Sequence, residues 1–174
     1  MMRSTKEVTA PLTALVAASL VGGLLTAAPA AAYNPAINGT YTATQIGDWA
    51  RTRTVYHDEP VVRSTWTITT SCETAQDCTG QVVSDQGWSA PLVMHDGSNW
   101  YLKRDIPNWQ TCEDGTTWVG HDSFYFYPAD PVTGQNVLGS PVLAGREHTT
   151  SVSGACGVNA PLYIEQPFRL DKIG

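Results

Sequence analysis

The chain has 174 residues, a formal net charge of −6 and four cysteines. That length suits one domain with a sizeable core. The acidic balance argues against nucleic acid or an anionic membrane surface as the main partner.

Arg3 and Lys6 give a basic start, weakened by Glu7, and residues 12–25 (LTALVAASLVGGLL) are apolar except for Thr13 and Ser19. Small residues follow, with A-x-A sites ending at Ala30 or Ala32. This is the pattern of a secretory signal peptide. The apolar run is shorter than the roughly 20 residues that cross a bilayer, so no transmembrane anchor is expected after cleavage. Cleavage after Ala32 makes residues 1–32 the signal peptide and 33–174 a single secreted β domain with a net charge of −7. No cysteine lies near the cleavage region, which disfavours a lipid anchor.

All four cysteines fall in the exported part, and an even count in an oxidising compartment points to two disulfides with three possible pairings. Cys72–Cys78 and Cys112–Cys156 is the expected set, because the first pair is local and sits across a hairpin. Zinc is disfavoured, since the spacings lack the C-x2-C pairs of structural zinc sites.

Residues 40–44 (TYTAT), after the turn signal Asn38-Gly39, make a short β-prone run. Residues 46–53 lack alternation and read as irregular or one helical turn, with Trp49 expected as a core plug. The organising stretch is 61–84 (VVRSTWTITTSCETAQDCTGQVVS). Val62, Trp66, Ile68 and Cys72 share one parity, while Arg63, Thr65, Thr67 and Thr69 take the other. That alternation describes a strand with one buried face, joined to a second strand by a loop that Cys72–Cys78 closes.

Residues 91–104 (PLVMHDGSNWYLKR) form a second hairpin. A three-residue loop, His95-Asp96-Gly97, pairs Leu92 with Trp100 and Ala90 with Leu102, keeping one consistent face inward. A two-residue Asp96-Gly97 loop would set Leu92 against Tyr101 instead, and the first register is preferred. Residues 107–117 carry Trp109 and Cys112 ahead of a turn at Asp114-Gly115. Residues 123–127 (SFYFY) are a strand aromatic on both faces, 128–139 a loop, and 142–149 a weak strand. Residues 151–159 are small apart from Cys156, and 162–170 (LYIEQPFRL) alternate again, with Pro167 demanding an edge or a bulge. About eight strands at hairpin spacing predict an all-β fold: an antiparallel meander forming a small barrel, or a sandwich, with the barrel preferred.

The segments GDWARTRTV, VRSTWTI, SCETAQDCTGQVVSDQGWS, NWYLKRDIPNWQTCEDGT and SGACG resemble small secreted proteins of unknown function from mycobacteria and related actinobacteria. The Trp–strand–Cys–x–Cys–strand arrangement is also similar to extracellular domains attached to some actinobacterial serine/threonine kinases. There a comparable Cys pair precedes a Gly or Ala and a Val, as in Cys78-Thr79-Gly80-Gln81-Val82. The resemblance implies a cell-envelope or extracellular protein and carries over no catalytic residues.

Three His-Asp dipeptides, at 57–58, 95–96 and 121–122, invite a metal reading. Adjacent strand residues point to opposite faces, so such a pair cannot easily chelate one ion, and no metal or cofactor is expected. No G-x-S-x-G elbow or phosphate-cradling glycine motif is present, and Asp58-Glu59 and Glu113-Asp114 lie in turn-like sequence. Among six tryptophans, Trp66, Trp88 and Trp100 fall on the buried parity. They are either packing for a small barrel or the ligand-contacting lining of an interior pocket. The expected function is a monomeric, non-enzymatic binding or interaction module, secreted or held in the cell envelope. Its partner would be an apolar or glycan-like ligand, such as an envelope lipid or glycan, or a protein. The alternative is a secreted hydrolase with a site around His121, Asp122 or His148.

Overall fold

The computed structural model describes residues 33–174; the expected signal peptide, 1–32, lies outside the described residues. Eight antiparallel strands close into a barrel: β1 (Gly39–Gln45), β4 (Val62–Cys72), β5 (Cys78–Ser84), β6 (Ser89–Met94), β7 (Trp100–Thr111), β8 (Thr117–Pro128), β9 (Val142–Ser151) and β10 (Tyr163–Lys172). Closure comes from β1, which pairs with β4 on one side and β10 on the other, so Tyr41 lies opposite both Trp66 and Lys172. A closed sheet leaves no exposed ladder edge. Two further short strands, β2 (Arg51–Thr52) and β3 (Val55–Tyr56), form a small flap joined to β10 through Arg51 and Glu165.

Alternation decides which side chains enter the barrel. Trp66 and Ile68 of β4, Val82 of β5, Ala90, Leu92 and Met94 of β6, and Trp100 and Leu102 of β7 all share the interior core. Trp66 is the hub, with ring centroids 5.2 Å from Trp88, 5.2 Å from Phe124 and 5.0 Å from Phe168. Both expected disulfides are present, Cys72–Cys78 across the β4–β5 hairpin and Cys112–Cys156 between the loops after β7 and β9.

Three local expectations are corrected. The β6–β7 hairpin pairs Leu92 with Leu102 and Met94 with Trp100, so neither expected register holds. The loop is wider, residues 95–99, because the Asp96 carboxylate accepts from Ser98 N and Asn99 N and closes it from within. The parity is preserved, so the inward residues are the expected ones. Trp49 is no core plug: it is 58% exposed and packs edge-on against Tyr56 at 6.0 Å on the flap. The weak strand from 142 is a full ten-residue strand paired on both sides.

Pro167 sits where β1 diverges from β10, its carbonyl accepting from Ile46 N at 2.9 Å, just past the last β1 pair, Gln45–Phe168. Its missing N–H therefore falls beyond the β1 ladder and leaves no donor lost from the sheet.

The two ends of the barrel differ. At one end, here the floor, Ile37 is buried and its N–H donates to Thr70 Oγ1 at 3.0 Å, while Asn38 Oδ1 accepts from Thr70 N. This N-terminal strap covers the apolar half of the interior. The opposite end, the mouth, is where β1, β5, β7 and β9 finish and the interior turns polar.

Candidate functional site

Cross-strand registry stacks inward residues into layers. One layer runs Arg104–Asp122–Thr149–Ile164 and the next one down Leu102–Phe124–Glu147–Gln166. The charged groups therefore sit directly on the aromatic core rather than in solvent. Asp122 is 1% and Glu147 3% exposed.

Arg104 Nε donates to Asp122 Oδ2 at 2.7 Å, and its guanidinium lies 4.1 Å over the Trp88 ring. Gln166 Nε2 donates to Glu147 Oε2 at 2.8 Å, which leaves the Gln166 carbonyl oxygen shut off from solvent and without a partner. Gln45 and Asp122 also face the Glu147 carboxyl closely enough to perturb it.

Burial, followed by the charge of Asp122, pushes Glu147 up to about 8. Burial also raises Asp122, opposed by Arg104. Like charges this close do not both ionise on one arginine. At neutral pH the cluster thus holds Arg104 as cation, Asp122 as its counter-ion, and Glu147 carrying the proton.

Above this layer lies an open cavity of about 350 Å³, walled by Gln45, Gln86, Arg104, Glu147 and Gln166 on its polar sides and by Ile106, Trp109 and Ile164 on its apolar side. Glu59 and Pro60 border it from the segment following the flap. Trp109 reaches the mouth because β7 carries an irregularity between Ile106 and Gln110, with Asn108 at φ 55°. Bulges at barrel rims re-aim side chains in this way. Trp109 then packs on Gly120, where a Cβ would lie 2.6 Å from its Cγ.

The three tryptophans singled out from parity lie away from this cavity. Trp66 and Trp100 are fully buried in the core, and Trp88 is half-buried beneath Arg104. Each has an indole N–H without a protein acceptor, and none borders the mouth cavity. The residues of the hydrolase alternative do not come together. His121 is exposed and bonds Asp105 at 2.7 Å on the outer wall, and His148 stacks on Tyr163, whereas Asp122 faces inward. The dipeptides resolve likewise into local pairs, His57 with Glu59 at 3.0 Å and His95 with Asp77 at 3.2 Å. Among the described residues no group of three His, Cys, Asp or Glu is placed to hold a metal ion.

Neither a family model nor a curated protein matches the chain. A solved structure does. The monomer form of the M. tuberculosis PknI sensor domain aligns with a TM-score of 0.53 over 80% of this chain and 88% of that one, at 17% sequence identity. This chain shares the fold of a sensor domain. The likeness to kinase extracellular domains drawn from the Cys72–Cys78 region thus holds at the level of the fold.

Proposed function

We propose that this domain is an extracellular, non-enzymatic binding module that receives a small polar ligand in the mouth of its barrel. The carrying observation is the cavity of about 350 Å³ standing on a buried Arg104–Asp122–Glu147 cluster. Burying two carboxylates, Asp122 and Glu147, on an aromatic core costs stability that apolar side chains would not, and perturbed groups in a cleft are candidates for a functional site. The sensor-domain fold and the two disulfides support a role in sensing or binding outside the cytoplasm. In this reading the sequence-derived trio acts beneath the site: Trp88 holds the Arg104 guanidinium in place, and Trp66 and Trp100 pack the core below it.

Trp109 makes the reading directly observable. Its fluorescence is expected to shift saturably when the protein meets size-fractionated small molecules from an envelope extract. The shift is expected to disappear in Trp109→Phe and persist in Trp49→Phe. A shift unaffected by Trp109→Phe, or no shift with any fraction, overturns the mouth as the binding site.

A further inference from the structure

The buried cluster contains two carboxylates and one guanidinium, so it is one cation short of neutrality unless a proton makes up the difference. In the empty site that proton sits on Glu147. The groups facing Glu147 are Arg104 from β7, Asp122 from β8, Gln166 from β10 and Gln45 from β1, with Glu59 across the cavity. Arg104 pairs with Asp122 through Nε and lies over the Trp88 ring, so its charge is already balanced although its Nη donors have no side-chain partner. An anion in the cavity would also meet Glu59 on its rim. The acceptor without a donor is the Gln166 carbonyl oxygen, beside the Glu147 carboxyl. An ammonium supplies both what this corner lacks in charge and what it lacks in hydrogen-bond donors.

Deepening the proposed function, on which this rests, we infer that the ligand is a small primary amine in its protonated form. Its ammonium sits against the Glu147 carboxylate at the base of the cavity, a turn of the Gln166 amide brings the carbonyl oxygen that is shut off in the empty site into reach, and the carbon body of the amine lies against Trp109 and Ile164. A volume of about 350 Å³ is at the small end of ligand pockets and suits a molecule of monosaccharide size or less. Binding exchanges one charge for another: the ligand enters as a cation, Glu147 releases its proton to water, and the cluster ends as two carboxylates facing two cations. The ammonium takes the place of the Glu147 proton. Arg104 and Asp122 keep their charges throughout.

Calorimetry on the protein with glucosamine, ethanolamine and putrescine, against glucose, N-acetylglucosamine and glucuronate, tests this. At least one amine is expected to bind with release of about one proton, read from the dependence of the heat on buffer ionisation. Its Kd is expected to fall about tenfold per pH unit between pH 6 and 8. Glu147→Gln is expected to weaken the amine at least tenfold and to abolish the pH dependence, with an unchanged circular dichroism spectrum confirming the fold. Gln166→Leu, which removes the acceptor while leaving Glu147, is expected to weaken binding and keep the proton release. If glucose or glucuronate binds as well as the amines, in a manner sensitive to Trp109→Phe, the amine inference is overturned while the mouth remains the ligand site. If none of the six compounds binds, the amine inference is overturned; if the envelope fractions also leave Trp109 unmoved, the site fails with it.

Discussion

The indole of Trp109 lies on Gly120 with no room for a methyl between them: a Cβ at residue 120 would stand 2.6 Å from Trp109 Cγ and 2.8 Å from Thr149 Cγ2. Two neighbouring strands are thereby tuned to each other, β7 by its bulge and β8 by its glycine, and the product is an aromatic wall over the mouth. Gly120→Ala is expected to push Trp109 off the rim at a cost of about 1–3 kcal/mol. A changed Trp109 emission with a barrel that still melts cooperatively is the expected result. An emission identical to wild type would show that the indole has another way to hold its place.

Glu147 sets a pH dependence whose sign follows from its environment. Its folded-state value of about 8 lies above the ordinary glutamate range, so between roughly pH 4.5 and 8 the native state binds the proton that the unfolded chain has lost. The contribution of this group to stability is present at low pH and is lost as pH rises towards 8, by up to about 1.4 kcal/mol per pH unit. Glu147→Gln, which stays neutral, is expected to be relatively more stable at pH 8 than at pH 5. Urea midpoints at the two pH values measure it; parallel changes in mutant and wild type would contradict it.

The disulfides differ in what they close. Cys72 and Cys78 are 6 residues apart, Cys112 and Cys156 are 44 apart. On chain-entropy grounds the first contributes about 2 kcal/mol and the second about 4. The longer link ties two loops at the mouth end. The Cys112→Ser/Cys156→Ser protein is expected to lose the larger share of stability and to show faster amide exchange in residues 112–116 and 151–159. The Cys72→Ser/Cys78→Ser protein should leave those segments protected.

Trp66 and Trp49 should lie at opposite extremes of the six tryptophans. Trp66 touches Trp88, Phe124 and Phe168 in the interior, and its replacement by Ala is expected to cost about 3–5 kcal/mol. Trp49 is exposed just ahead of the flap, beside Tyr56, and its replacement is expected to change stability by under about 1 kcal/mol. Denaturant titration of the two variants decides it.

The barrel was legible because period-2 alternation survives wherever one face is dry. Trp66 with Ile68, and Leu92 with Trp100 and Leu102, identify the interior before any register is known. The β6–β7 register was not legible, since it turns on one carboxylate, Asp96, closing a five-residue loop that keeps the same parity as a three-residue one. The exposure of Trp49 was not legible, because size and apolarity say nothing about whether a short turn ahead of a flap folds inward. The site is hidden in the sequence for a related reason: Arg104, Asp122 and Glu147 are residue types that usually mark the wet face. Their parity tells otherwise. Asp122 is in step with Phe124 and Phe126, Arg104 with Leu102, and Glu147 with Leu143. A charge that falls on the dry parity is the signal that could have found them. Trp109 could not be placed from alternation, because the bulge that aims it breaks the count.

At the floor, Thr40 N donates to the Gly174 carbonyl at 2.9 Å and Ile173 N donates to Thr40 O at 2.8 Å, so the chain enters and leaves the barrel side by side. The cavity opens at the far end of the same strands. Whatever is joined at Gly174, a tag or a sensor chip, therefore takes hold of the barrel by its base. A domain held that way stands like a cup on a table, with its rim at the end away from the attachment.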